Sequence, residues 1–421
     1  MNWQQSSLQR GLFKCFVVLG PLGNLLTPQL FSHAFRTYYF ILLGFPLFFI
    51  PLRKKQTKAV IFALPFLLYC LFSTVLNLPN TEADLPFFRF GLLFFQFLFV
   101  AGVSGIIRNE ISFVFLYLKA YFVSLIAGYI LYTGFYLKVF PMEFLEKFSV
   151  LSQMGYGFLR FSPGSYPNEY GIVSSFVLSI LTLLLIENKK VFSKPFLIIF
   201  YSLTLGALLL STTRAACLAY GFSLIYLGFS KGCLKKIVML VTAGLLSVAG
   251  ILMGCGIDLS KFFYIGFSLD TLSTGSLYDR FFTWSNSLEA YLETPLIGTG
   301  FSTQTSLHNL YLQLIFELGV LGVILFLVRA FFHFFDRKYF TLQRTELSLE
   351  QKFLRTVAIL GAIHVLWFAG SNHNLNHHLT WLVIFFLSSE RALKSKNQLK
   401  ISGVVTDAVA ELTFVAKSGR E

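Results

Sequence analysis

The sequence predicts an all-α, polytopic integral membrane protein with about 12 transmembrane helices and one long outer loop between the ninth and the tenth. Three observations predict this class. The 421-residue chain is 55% hydrophobic and 18% aromatic but only 13% charged, too little polar surface to cover a water-soluble globule of this size. Apolar runs of bilayer-spanning length recur from end to end, and no polar stretch is long enough for a soluble domain. Basic residues gather in alternate polar breaks, as the positive-inside bias requires.

Met1 to Lys14 carries Arg10 and Lys14 ahead of an apolar run without a small-residue cleavage site, the pattern of a retained signal anchor. Apolar runs place helices near 11–27, 37–52, 59–77, 86–107, 112–137 and 170–187 in the first half. Six more follow near 194–210, 215–229, 237–256, 309–335, 354–369 and 379–389. With the N-terminus inside, the cytoplasmic breaks read Arg53-Lys54-Lys55, Arg108, Lys189-Lys190, Lys231 to Lys236, Arg337 to Lys352 and the tail from Arg391. Roughly 26 of the 34 Lys and Arg residues then fall inside, leaving about eight outside. The net charge of +14 therefore reports orientation, with both termini cytoplasmic, and no nucleic-acid partner is expected. One membrane domain is expected over 1–390, with a loose tail over 391–421. The five cysteines never share an outer loop, so neither a disulfide nor a metal cluster is expected. No half-length repeat appears, which argues against a symmetric two-lobed transporter.

Three outer segments stand out: 138–169, the turn at 211–214, and 257–308, the longest polar break in the chain. A structureless loop of that length would be unusual, so it should contain structure of its own. Ser276-Leu-Tyr-Asp279 fits a helix-capping signature, and Trp284, Leu288, Tyr291 and Leu292 recur at helical spacing before Pro295. An amphipathic helix over 277–293, lying on the outer leaflet, is expected.

The same segments contain Ser211-Thr-Thr-Arg214, Arg280-Phe-Phe-Thr-Trp284, Pro295-Leu-Ile-Gly298-Thr-Gly300-Phe, and His308-Asn309 followed after nine residues by Gly319-Val-Leu-Gly322. This pattern, over about 211–322, resembles the C-terminal signature of the O-antigen ligase/polymerase family. Arg214 and Arg280 match the two outer arginines of that signature, and His308 matches its histidine. Arg160 with Ser165-Tyr-Pro167-Asn168-Glu169 is similar, more loosely, to a segment preceding the sixth helix. The resemblance implies a bacterial inner-membrane enzyme without metal or cofactor. It would move a saccharide from undecaprenyl pyrophosphate to a hydroxyl at the periplasmic face. The acceptor would be lipid A core, for a ligase, or a second lipid-linked glycan, for a polymerase.

These residue types suit that chemistry. A pyrophosphate leaving group gains negative charge as the glycosidic bond breaks, and fixed cations stabilise it. Arginine offers planar, permanently charged forks to phosphate oxygens, and Arg214 also opens a helix whose N-terminus favours anions. The competing reading of each arginine is a headgroup contact or a structural ion pair. His308, at the start of a helix, would be the general base for the acceptor hydroxyl, or else an interfacial or capping residue. Arg89 is a further candidate for pyrophosphate contact, and Asn309 a candidate beside the histidine. Trp284 and Tyr311 would stack on sugar rings or anchor the interface. Asn309, Gln313 and Glu317 form a polar stripe that either lines an acceptor path or pairs with neighbours. Gly319 and Gly322 read as close helix packing. His373, His377 and His378 read as a polar outer loop, since no carboxylate stands beside them. The reading from a different class is a secondary transporter or flippase of a polyprenyl-linked saccharide.

Overall fold

The computed structural model describes residues 3–25, 54–77, 87, 89–91, 93–96, 110–148, 159–164, 166–187, 192–254, 276–301, 303, 307–328, 348–370 and 377–387. Regular elements among them are helical. In chain order they are α1 (Trp3–Leu22) with a 3-10 turn (Gly23–Leu25), α2 (Lys54–Leu76), α3 (Ile111–Tyr136), α4 (Met142–Glu146), α5 (Pro167–Glu187) and α6 (Lys194–Leu210). There follow α7 (Arg214–Lys231), α8 (Leu234–Gly254), α9 (Ser276–Glu293), α10 (Leu310–Phe326), α11 (Leu349–Ala369) and α12 (His378–Leu387). Among the described residues, α3, α5 and α11 are long and apolar enough to cross a membrane, and α6, α10, α12 and Leu64–Leu76 are shorter apolar segments. The expected span 37–52, most of 86–107, residues 257–275 and the tail 391–421 lie outside the described residues.

Helix starts are where hydropathy misjudges length. The span expected from 354 begins at Leu349, because Ser348 and Gln351 form a reciprocal capping box ahead of the apolar run. A polar first turn is invisible to an apolar-run reading but is held by its cap.

α5 is the central helix, apolar on all sides and buried from Tyr170 through Leu184. It packs against α6, α7 and α11, while α8 leans on α6 and α7. α1 runs beside α3 in the same direction, with Arg10 bonded to Glu110 at 2.5 Å and Phe13 meeting Phe113 at 4.9 Å between centroids. Phe385 of α12 closes on Phe13 at 4.0 Å. Beyond this bundle, α10 packs on α2 and α9 on α10.

Many polar groups inside the bundle are paired, as a lipid-embedded interior favours, although the Ser124, Tyr170 and Ser230 side-chain oxygens are buried without a hydrogen bond. Ser174, Ser179 and Thr182 each donate to a carbonyl four residues back in α5. Ser175 donates to Ala216 O at 2.8 Å and lies 2.6 Å from His364 Nε2, joining α5, α7 and α11. Thr182, Tyr220 and Tyr201 form a second chain of hydroxyls at 3.0 and 2.9 Å.

The helices share one polar end. Lys231 bonds Glu187 at 2.6 Å, Glu350 accepts from Ile111 N, and Phe115 touches both Phe192 and Phe353. That end holds the breaks that the charge bias expects in the cytoplasm. The opposite end holds the 159–164 segment, the 211–214 turn and the start of α10.

Candidate functional site

The first cluster grows from the turn between α6 and α7. α6 ends at Leu210, and Ser211 and Thr213 pair by their hydroxyls at 3.1 Å, with Thr213 also reaching Pro167 O at the start of α5. Thr212 adopts φ of 51°, a left-handed conformation that costs a β-branched residue energy. Alongside runs the 159–164 segment, whose Phe161 N donates to Leu210 O at 3.2 Å.

Arg160, only 9% exposed, is built into this turn. Its Nε and Nη2 donate to Ser211 O at 2.9 and 2.7 Å, and Nη2 also donates to Asn168 Oδ1 at 3.0 Å. Tyr132 of α3 holds the arginine from behind: its hydroxyl donates to Arg160 O and accepts from Ser162 N. Arg160 and Asn168 are thus brought together, and what they grip is the backbone that presents Arg214. Arg214 is half-buried at the first position of α7, where the N-cap residue Thr213 makes no side-chain capping bond. A helix start of this kind, beside a fixed cation, suits an anion. In Arg160→Lys the charge persists but the fork is lost. The expected result is a loss of about 1–3 kcal/mol, read as a lower thermal midpoint of the purified protein.

The second cluster joins α9 to the start of α10. Ser287 is buried in α9, Trp284 Nε1 donates to Leu307 O at 2.7 Å, and Tyr291 lies 5.4 Å from Phe316 of α10. These positions define one stripe, and Arg280 stands on it one turn before Trp284, on the side turned towards residues 307 and 308. The flank beside this stripe exposes Phe281, Leu288 and Leu292, and Phe282 is exposed further round the helix. The amphipathic helix is therefore present, with Trp284 and Tyr291 on the protein side and not on the exposed apolar face with Leu288 and Leu292.

His308 is exposed and takes φ of 48° between Leu307, which is fully buried, and Asn309. Asn309 is the N-cap of α10, accepting from Tyr311 N and Leu312 N at 3.0 and 3.1 Å. Only three non-glycine residues among those described have positive φ, and two of them, Thr212 and His308, stand in the two clusters. Backbone strain retained in this way is concentrated at functional sites. Both clusters lie at the same end of the bundle. Tyr311 donates to Leu366 O at 2.7 Å, and Phe222, two turns below Arg214, meets Trp367 at 4.6 Å. α7, by its middle, and α10, by its start, therefore both lean on the same end of α11.

Beneath His308, α10 is not one helix. It breaks at Gly319, with φ 63° and ψ −173°, and the groups freed there are taken up by the Pro295 to Gly300 segment. Thr299 N and Gly300 N donate to Phe316 O and Glu317 O, while Val320 N and Leu321 N donate to Pro295 O and Leu296 O, all between 2.8 and 3.2 Å. Irregular backbone within an apolar helix is tolerated where protein satisfies it in this way. The sequence reading of Gly319 as a packing residue is replaced: a Cβ there would stand 2.5 Å from Leu296 O, and one at Gly298 (φ 76°) 2.5 Å from Glu317 C and O. Glu317 is 1% exposed and accepts from Gln313 Nε2 at 2.9 Å, so the polar stripe of α10 pairs within itself.

Arg89 is half-buried in the helical residues 89–91, and no bond joins it to either cluster among the described residues. The His377 and His378 rings lie 4.5 Å apart at a tilt of 38°, with His378 Nε2 3.2 Å from Tyr117 OH, while His373 lies outside the described residues. Sequence reasoning missed Tyr132 and Thr213, which hold the arginine turn. Their signal is faint, since a tyrosine in an apolar run and a threonine at a turn are ordinary.

Residues 197–327 match the family model of the O-antigen ligases, and the resemblance carried by residues 211–322 falls inside that span. The match covers less than a third of the chain. No curated protein matches the sequence. With the apolar helices, the match supports glycan transfer by a multi-pass bacterial membrane protein.

Proposed function

We propose that the chain transfers a saccharide from an undecaprenyl-pyrophosphate donor to an acceptor hydroxyl at the periplasmic face, acting as an O-antigen ligase on lipid A core. The observation that supports this reading is that the turn ahead of Arg214 and the one that carries His308 both hold a left-handed residue, with Arg280 one helical turn before the tryptophan that bonds Leu307 O. Arg214 and Arg280 hold the pyrophosphate, and Arg160 with Asn168 sets the turn from which Arg214 projects. The bond from sugar C1 to the phosphate oxygen breaks with its electron pair going to that oxygen, where the arginines stabilise the charge. The acceptor oxygen bonds C1 from the opposite side, inverting it, and its proton passes to the His308 imidazole. Trp284 and Asn309 border the acceptor side.

A broken helix with a buried carboxylate is also a feature of secondary transporters, where half-helix ends face the substrate. Here the groups released by the break are bonded to the protein's own 295–300 segment, which leaves them engaged and favours the enzyme.

The test is transfer by purified protein in vesicles, supplied with undecaprenyl-pyrophosphate oligosaccharide with and without lipid A core. Product only with core establishes the ligase; longer lipid-linked chains without core establish a polymerase. Labelled lipid crossing the bilayer with no product would replace the enzyme by a flippase. Arg214→Ala and Arg280→Ala are each expected to lower transfer by about 10²–10³-fold, measured as initial rates at saturating acceptor.

A further inference from the structure

α2 lies outside the segment that matches the family model, yet one of its stripes is directed at the broken helix. Tyr69, Ser73 and Asn77 recur every four residues and therefore share a face. The Tyr69 hydroxyl is shared between Leu318 O at 2.9 Å, at the last position before the break, and Ile297 O at 3.1 Å, in the segment that fills it. One turn on, Ser73 Oγ accepts from Phe301 N at 3.0 Å, and Asn77 lies against Gly300. Gly322 admits the tyrosine, since a Cβ there would stand 2.8 Å from Tyr69 Cε1.

This stripe does more than pack. The half-helix 310–318 carries His308 at its top, and its bottom is the point that Tyr69 grips. The 295–301 segment leads into His308 from the other side and is gripped by the same hydroxyl and by Ser73. Trp284 then fixes the Leu307 carbonyl immediately before the histidine.

We infer that Tyr69, assisted by Ser73, is a positioning residue for His308, acting through the 295–301 segment and the break at Gly319. The inference rests on the general-base reading of His308. It adds a component of the site from a helix far away in sequence. Small displacements of a catalytic group cost rate without loss of binding, so the effect belongs in turnover.

The experiment uses full-length protein in vesicles with the undecaprenyl-pyrophosphate donor and lipid A core, comparing wild type, Tyr69→Phe, Ser73→Ala, His308→Ala and the Tyr69→Phe/His308→Ala pair. Tyr69→Phe keeps the ring and removes the hydroxyl. It is expected to lower kcat by about tenfold or more while KM for the donor stays unchanged. Ser73→Ala, which removes one acceptor only, should act in the same direction and stands in if the tyrosine variant fails to fold. In the His308→Ala background Tyr69→Phe should change the residual rate by less than twofold, because its route is already cut. Amide hydrogen exchange should rise at 295–301 and 316–321 and nowhere else. Unchanged kcat in Tyr69→Phe beside an inactive His308→Ala overturns this inference alone. An equal loss with and without His308 also overturns it. Full transfer by His308→Ala would instead overturn the base reading on which it rests.

Discussion

Replacing His308 by alanine is expected to lower saccharide transfer by about 10²–10⁴-fold, the usual contribution of a positioned general base. The fold should survive, because the imidazole is exposed and the helix below is capped by Asn309 and not by His308. His308→Asn separates chemistry from backbone. Asparagine tolerates the left-handed conformation at φ 48°, so it keeps the turn and removes the base. Both variants should lose turnover equally, with thermal midpoints near that of wild type. Activity retained by His308→Asn but lost by His308→Ala would mean that the position matters for its backbone alone.

The second large effect concerns stability. Gly298→Ala should cost more than about 2–3 kcal/mol, and Gly319→Ala a similar amount, because each new methyl meets backbone atoms that cannot rotate away. At Gly298 the obstacle is Glu317 C and O at 2.5 Å, and at Gly319 it is Leu296 O at the same distance. Both variants should lose folded protein in detergent well below the wild-type midpoint. Gly250→Ala is the control: it sits in α8 with nothing within 4 Å of an added Cβ, and alanine there should be neutral or slightly stabilising. Equal behaviour of all three would show that the interlock at the break contributes nothing.

Much of the architecture was legible because lipid imposes a simple rule on sequence. Apolar length marks a helix, and α3, α6 and α7 begin and end within about two residues of where hydropathy puts them. The segments that carry the arginines and the histidine stand out in the sequence for a related reason, since charged and turn-forming residues there run against the apolar composition around them. Distance in sequence hid the rest. Nothing near Tyr69 shows that it bonds a carbonyl 228 residues later, and a tyrosine in an apolar run reads as packing. Gly319-Val-Leu-Gly322 has the spacing of a helix-packing motif, and only the partner strand of backbone at 295–300 shows that the first glycine ends a helix instead. Arg160 looks from its sequence like a phosphate ligand, whereas its guanidinium fork is bonded to Ser211 and Asn168.

The interlock at Gly319 also sets where this protein can be cut and rejoined. Because residues 295–300 replace bonds that α10 would otherwise make with itself, that stretch and residues 316–321 form one structural unit although they are apart in sequence. Segments exchanged between this chain and others that match the same family model should therefore be joined ahead of Thr294 or carried across whole to Leu321. A junction placed between these points would pair one parent's backbone donors with the other parent's acceptors, and the chimera would fail at insertion whatever its specificity.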